Sequence, residues 1–192
     1  MDAALQFLLT DDVGRKHMTI NKLTLSLTMI FSLGLIAVAQ QNSPGNATKS
    51  FYAFDRSHSQ VFNRRNIDAR KGWFSAALYK LFLYELRREA AYLKKNPNDK
   101  PYFGDGLPFQ PIDETCKVGG RDTHRSVSVH QEFQQKSRGA ATAAFSFPKG
   151  CTDGDKVVYT IGLVLEHGRW VIDDVNYGED TSLKQRLHRK DY

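Results

Sequence analysis

The stretch KVVYTIGLVLEHGRWVIDDVNYG, Lys156 to Gly178, decides the fold, because period, turn chemistry and composition agree there. Val157, Tyr159, Ile161, Leu163 and Leu165 alternate with Val158, Thr160, Gly162, Val164 and Glu166. A period of two is that of a β-strand. His167-Gly168 supplies a two-residue turn whose glycine is free to take a positive φ, so a second strand runs back from Arg169 to Tyr177. That register sets Trp170 opposite Leu165, Ile172 opposite Leu163 and Asp174 opposite Ile161, with Val164 facing Val171 and Thr160 facing Val175. One face is then apolar with a single acid, Asp174. A one-residue slip would turn Asp174 outward and Asp173 inward. Apolar residues on both faces imply elements packed over both.

Outside the hairpin, composition sets the limits. The 192 residues are 41% hydrophobic and 25% charged, which is globular and too apolar for a disordered chain. The formal net charge is +6. That surplus is small beside the charge density of dedicated nucleic-acid binders, and no interleaving of aromatic and basic residues forms a stacking platform. No nucleic-acid partner is expected. The basic runs NRRNIDARK (Asn63 to Lys71) and KQRLHRK (Lys184 to Lys190) read as solvated helix faces or tails.

The segment after Met18 has a weakly basic start, a mostly apolar run from Leu23 to Val38, and Ala37-Val38-Ala39 as a small-x-small cleavage pattern before Gln40. Residues 1–39 read as a signal region, with Met18 as an alternative start because Asp11 and Asp12 are foreign to a signal's basic end. The apolar run is shorter than the roughly 20 residues of a spanning helix. The expectation is an exported, periplasmic or extracellular protein that meets the membrane only through export. Residues 40–47 would be a linker and 48–192 one domain. Two cysteines, Cys116 and Cys151, suit a single disulfide in an oxidising compartment, and no CxxC or neighbouring histidine completes a metal site.

The mature part begins with helices. Thr48 can cap a short helix holding Phe51, Tyr52 and Phe54, and a second would contain Val61, Phe62 and Ile67. From about Gly72 to Asn96 runs a long helix whose stripe is Phe74, Leu78, Leu81, Phe82, Leu86 and Leu93. Glu85 and Glu89 fall inside that stripe, four residues apart, either pairing with Arg88 and other basic groups or entering a polar pocket. The loop from Asn96 to Thr115 holds four of the six prolines, and Tyr102, Phe103 and Phe109 imply that it packs down. Strands follow at His124–Phe133, with Arg125, Val127, Val129 and Phe133 on one face, and at Ala140–Phe147, with Ala141, Ala143, Phe145 and Phe147 on one face. His124 and His130 share the polar face without a third ligand, so no metal is expected. Ser182 to His188 reads as a terminal helix capped by Asp180 or Thr181.

Helices first and consecutive antiparallel strands afterwards make an α+β fold, with N-terminal helices on one face of the sheet. The helical half, the loop PYFGDGLPFQPIDETC and above all GRWVIDDVNY resemble the bacterial domain of unknown function 3828 family, within the nuclear transport factor 2-like superfamily, over about Thr48 to Leu187. The resemblance implies a curved sheet enclosing a cone with the long helix, a ligand site inside it, and a possible homodimer through the open sheet. It carries over no catalytic residue, because that family has no established one, and fold analogy does not choose among the activities of its relatives. No cofactor is expected. The leading expectation is a non-catalytic module for a small ligand or a protein, with Trp170, Phe82 and Tyr79 as ligand contacts. The alternative is an isomerase- or dehydratase-like enzyme, in which Glu85, Glu89 or Asp174 serves as a desolvated base and Tyr79 or Tyr84 donates to an oxyanion. A third reading is an inhibitor or immunity-type protein binding an acidic partner on the sheet face around His124 to His130.

Overall fold

The computed structural model describes residues 43–111, 116–151, 156–178 and 181–189. The signal-region reading of residues 1–39 lies outside them. Helix α1 (Pro44–Arg56) is followed by α2 (Arg64–Arg70), a 3-10 turn (Lys71–Trp73) and the long α3 (Ala76–Lys95). Strands β1 (Cys116–Val118), β2 (Arg121–Thr123), β3 (Ser126–Gln134), β4 (Arg138–Ser146), β5 (Val157–Glu166) and β6 (Arg169–Asn176) come next, then α4 (Leu183–Leu187). The fold is α+β, with helices packed against an antiparallel sheet ordered β3-β4-β5-β6.

Each helix starts where a side-chain oxygen can satisfy a free N–H. Ser43, Asn63, Ser75 and Ser182 accept from the backbone N–H of Asn46, Asn66, Leu78 and Gln185. Two expected caps are therefore corrected. Helix α1 begins at Pro44, inside the expected linker, and Thr48 is buried within it. Helix α4 is capped by Ser182, whose own N–H is held by the Gln185 side chain in a reciprocal box. The long helix begins at Ala76, because Phe74 and Ser75 are extended along the edge of β6, where Ser75 N–H donates to the Ile172 carbonyl at 2.8 Å.

The hairpin turn is as expected: His167 and Gly168 both take positive φ, at 51° and 76°. Trp170, Val171 and Ile172 pair with Leu165, Val164 and Leu163. Beyond that the register shifts: Asp174 lies opposite Gly162 rather than Ile161, Val175 opposite Ile161, and Asn176 opposite Thr160. A bulge at the Asp173-Asp174 pair brings Val175 into the core, fully buried, and leaves both carboxylates off the apolar face. A second bulge in β3 lies between Gln131 and Phe133, so Phe133 leaves the face of Val127 and Val129 and is 47% exposed. Gln131 instead accepts from Gly45 N–H at the start of α1. Helix α1 crosses the sheet at Gly139, where a Cβ would stand 2.3 Å from Pro44 Cγ.

Between helices and sheet the core is dense. Phe51, Phe74, Phe82 and Phe109 pack with ring centroids 5.1 to 6.1 Å apart over Ala141, Ala143, Phe145, Ile161, Leu163, Trp170, Ile172 and Val175. The hairpin's second face, expected to be covered, leaves Val158 43% exposed and Thr160 exposed. A small β1-β2 hairpin turns at Gly119-Gly120, and the Cys116–Cys151 disulfide, Cα atoms 5.9 Å apart, ties it to the loop after β4. Among the described residues no helix is long and apolar enough to cross a membrane.

The two basic runs are solvated only in part: Arg64, Arg65 and Lys71 are exposed as expected, while other basic residues of both runs are buried or paired. Arg70 is fully buried and pairs with the equally buried Asp55 at 2.6 Å, also donating to the carbonyls of Asn66 and Ser59. In the second run, Lys184 pairs with Asp173 at 2.6 Å and Arg189 with Glu85 at 2.6 Å. A buried guanidinium with five donors is tolerable only when acceptors surround it, and here Asp55 at the end of α1, Ser59 in the connection after it and Asn66 in α2 supply them.

Candidate functional site

The long loop after α3 packs down as its aromatic residues implied, and its anchors come from four directions. Phe103 N–H donates to Glu89 Oε1 at 2.8 Å, and Leu107 N–H donates to the Gln60 carbonyl at 2.6 Å. The Tyr177 hydroxyl donates to the Pro108 carbonyl at 2.8 Å, and Gln110 donates its amide to Asp55. Phe103, Leu107 and Phe109 are buried beneath the chain. Gly106 lets the loop approach: its φ is +132°, and a Cβ there would sit 3.0 Å from the Gln60 carbonyl oxygen.

This anchored loop forms one wall of a cleft of about 650 Å³, whose other walls are Val157 and Tyr159 of β5, Tyr177, Arg186 of α4 and Gln60. That volume lies in the roughly 300–1,000 Å³ range of small-molecule sites. The walls are mostly aromatic and aliphatic. Tyr159 and Tyr177 meet edge to face at 4.9 Å, and the Arg186 guanidinium carbon lies 4.1 Å from the Tyr177 ring centroid. Burial pushes both phenols up, Tyr177 strongly, while the Arg186 charge pulls in the other direction. Both are therefore neutral hydrogen-bonding groups at physiological pH.

The residues expected from the sequence lie elsewhere. Glu85 is fully buried and held by Arg88 and by Arg189. Glu89 is 6% exposed and bound to the loop, and burial, with Glu85 adding to it, raises its carboxyl above the ordinary value against the Phe103 N–H bond. Asp174 accepts from Val175 N–H and Lys184 N–H, both at 2.9 Å, and so holds the start of α4. The three acids do not converge on a common space: two serve the loop and chain end beside α3, and the third docks a helix on β6. Phe82 and Trp170 are core residues at 0% and 4% exposure. The Tyr79 hydroxyl donates to Asp68 at 2.6 Å, and Tyr84 is 52% exposed beside Arg88. None of the seven borders the cleft. His124 and His130 join no metal-binding group, nor does any set of three such residues among those described.

Sequence reasoning placed Tyr159 on the hairpin's inner face and Tyr177 at its end, yet missed their role. The usable signal was position: both stand at the end of the hairpin away from the turn, where hydroxyl-bearing rings take over from purely aliphatic side chains. Arg186 and Gln60 carried no such signal, since each reaches the cleft only through the docking of a separate segment. No protein-family model matches this chain, and no curated protein or solved structure matches it.

Proposed function

We propose that this chain is an exported, non-catalytic small-ligand-binding module of the nuclear transport factor 2-like kind, akin to the domain of unknown function 3828 family. The observation that carries the reading is the cleft under the long loop, with Tyr102, Phe103, Tyr159 and Tyr177 on its walls and Arg186 at its side. The helices on one face of an antiparallel sheet closed by the GRWVIDDVNY strand support the likeness, and the disulfide supports export. The isomerase-like alternative would use Glu85, Glu89 or Asp174, and each of these is committed to a structural partner.

The test is a ligand screen by saturation-transfer NMR on the full chain, exported so that its cysteines oxidise. Ring-containing compounds should bind, and Val157→Trp, which fills the cleft from β5, should weaken them by about tenfold or more with the fold intact by circular dichroism. Absence of any binder, or binders indifferent to Val157→Trp, would sink the reading. Turnover that disappears when Glu85, Glu89 and Asp174 are changed together to their amides would instead favour the enzyme.

A further inference from the structure

One charged group of the cleft wall has no oppositely charged partner among the described residues. Arg186 has its ring contact with Tyr177, but no acceptor among the described residues pairs with its guanidinium. The neighbouring arginines contrast with it: Arg88 and Arg189 share Glu85, and Arg70 holds Asp55. Gln60 is oriented by its amide N–H₂, which donates to the Asp55 carbonyl at 2.7 Å and the His58 carbonyl at 3.0 Å. Its Oε1 lacks a donor but is buried away from solvent, so it offers no contact to a ligand in the open cleft.

A cation over a ring face uses the π system and leaves N–H donors for an anion, and arginine's fork matches a carboxylate in two parallel bonds. The acid in the cleft wall, Asp105, is already paired with Lys100. The aromatic walls favour a flat ring beside that guanidinium.

We propose that the ligand of this cleft is a small ring-containing organic acid, its carboxylate on Arg186 and its ring against the aromatic walls. The inference rests on the small-ligand reading above and names the chemistry of that site.

The experiment is isothermal titration of the full, disulfide-bonded chain with 4-hydroxyphenylacetate and with its neutral primary amide. The acid should bind about tenfold tighter than the amide at low ionic strength, and the gap should narrow as salt is raised. Arg186→Gln should bring the two within about twofold by weakening the acid alone, while Arg186→Lys keeps part of the preference. Val157→Asp, which sets a negative charge in the cleft wall, should weaken the acid and spare the amide. Equal binding of acid and amide that Val157→Trp abolishes would overturn the acid ligand and leave the cleft reading standing. A preference that survives both Arg186→Gln and Val157→Asp would also overturn it. If neither compound binds and the wider screen is empty, both readings fall.

Discussion

Leu78, Phe82, Glu85 and Glu89 are the four buried residues of α3, and they form a single line along it at spacings of four, three and four. The acids thus continue the core stripe at the level where the long loop and the chain end pack against the helix. Glu85 is neutralised by two guanidinium groups, whereas Glu89 has one backbone N–H and a carboxyl shifted upward by burial. A raised folded value means that the folded state holds the proton more tightly than the unfolded chain. The Glu89 contribution to stability therefore falls as pH rises from the ordinary carboxyl range through the raised value. Glu89→Gln keeps an oxygen for Phe103 N–H and removes this titration. Its stability relative to wild type should improve with rising pH across that window, as read by urea unfolding at several pH values. A difference independent of pH would show that Glu89 is not held protonated. The Asp55–Arg70 pair lies at the same scale, and its formation was invisible to sequence reasoning because a basic run with an adjacent acid is ordinarily a solvated helix face.

The Asp173-Asp174 bulge is the element that joins the sheet to the C-terminal segment. Asp173 takes Ser75 Oγ from the start of α3 at 2.7 Å and Lys184 Nζ at 2.6 Å, and Asp174 takes the Lys184 backbone N–H. Two successive acids thus seat α3 and α4 along the edge of β6, with Leu183 and Leu187 fully buried beneath. Alternation in the sequence predicted the strand and its first three pairs. It did not predict the bulge, since nothing local marks which residue is left out of a ladder. Asp174→Ala removes an acceptor from the first turn of α4 and should cost about 0.5–2 kcal/mol. Amide exchange should accelerate at Lys184 and its neighbours before the strands respond. Exchange accelerated equally in β4 would mean that α4 is not a separately docked unit.

For the molecule as a whole, the disulfide spans a sequence separation of 35 and closes the β1-β2 hairpin onto the loop after β4. Reduction should lower unfolding free energy by about 3 to 4 kcal/mol on the loop-entropy account, seen as a fall in the urea midpoint. No fall would mean that the unfolded chain is already compact there. The α+β class, the hairpin turn, the long helix, the packed-down loop and the cysteine pairing all follow from the sequence. Each depends on neighbours within a few residues, on the order of elements along the chain, or on there being only two cysteines. Only tertiary structure decided that the space between α3 and the sheet is filled by aromatic rings, that the three acids are apart, and that an aromatic cleft opens beneath the loop. Those outcomes depend on packing volume and on residues as distant as Gln60, Tyr102 and Arg186 meeting across the fold. Periodicity carries the direction of a side chain but not the identity of what faces it.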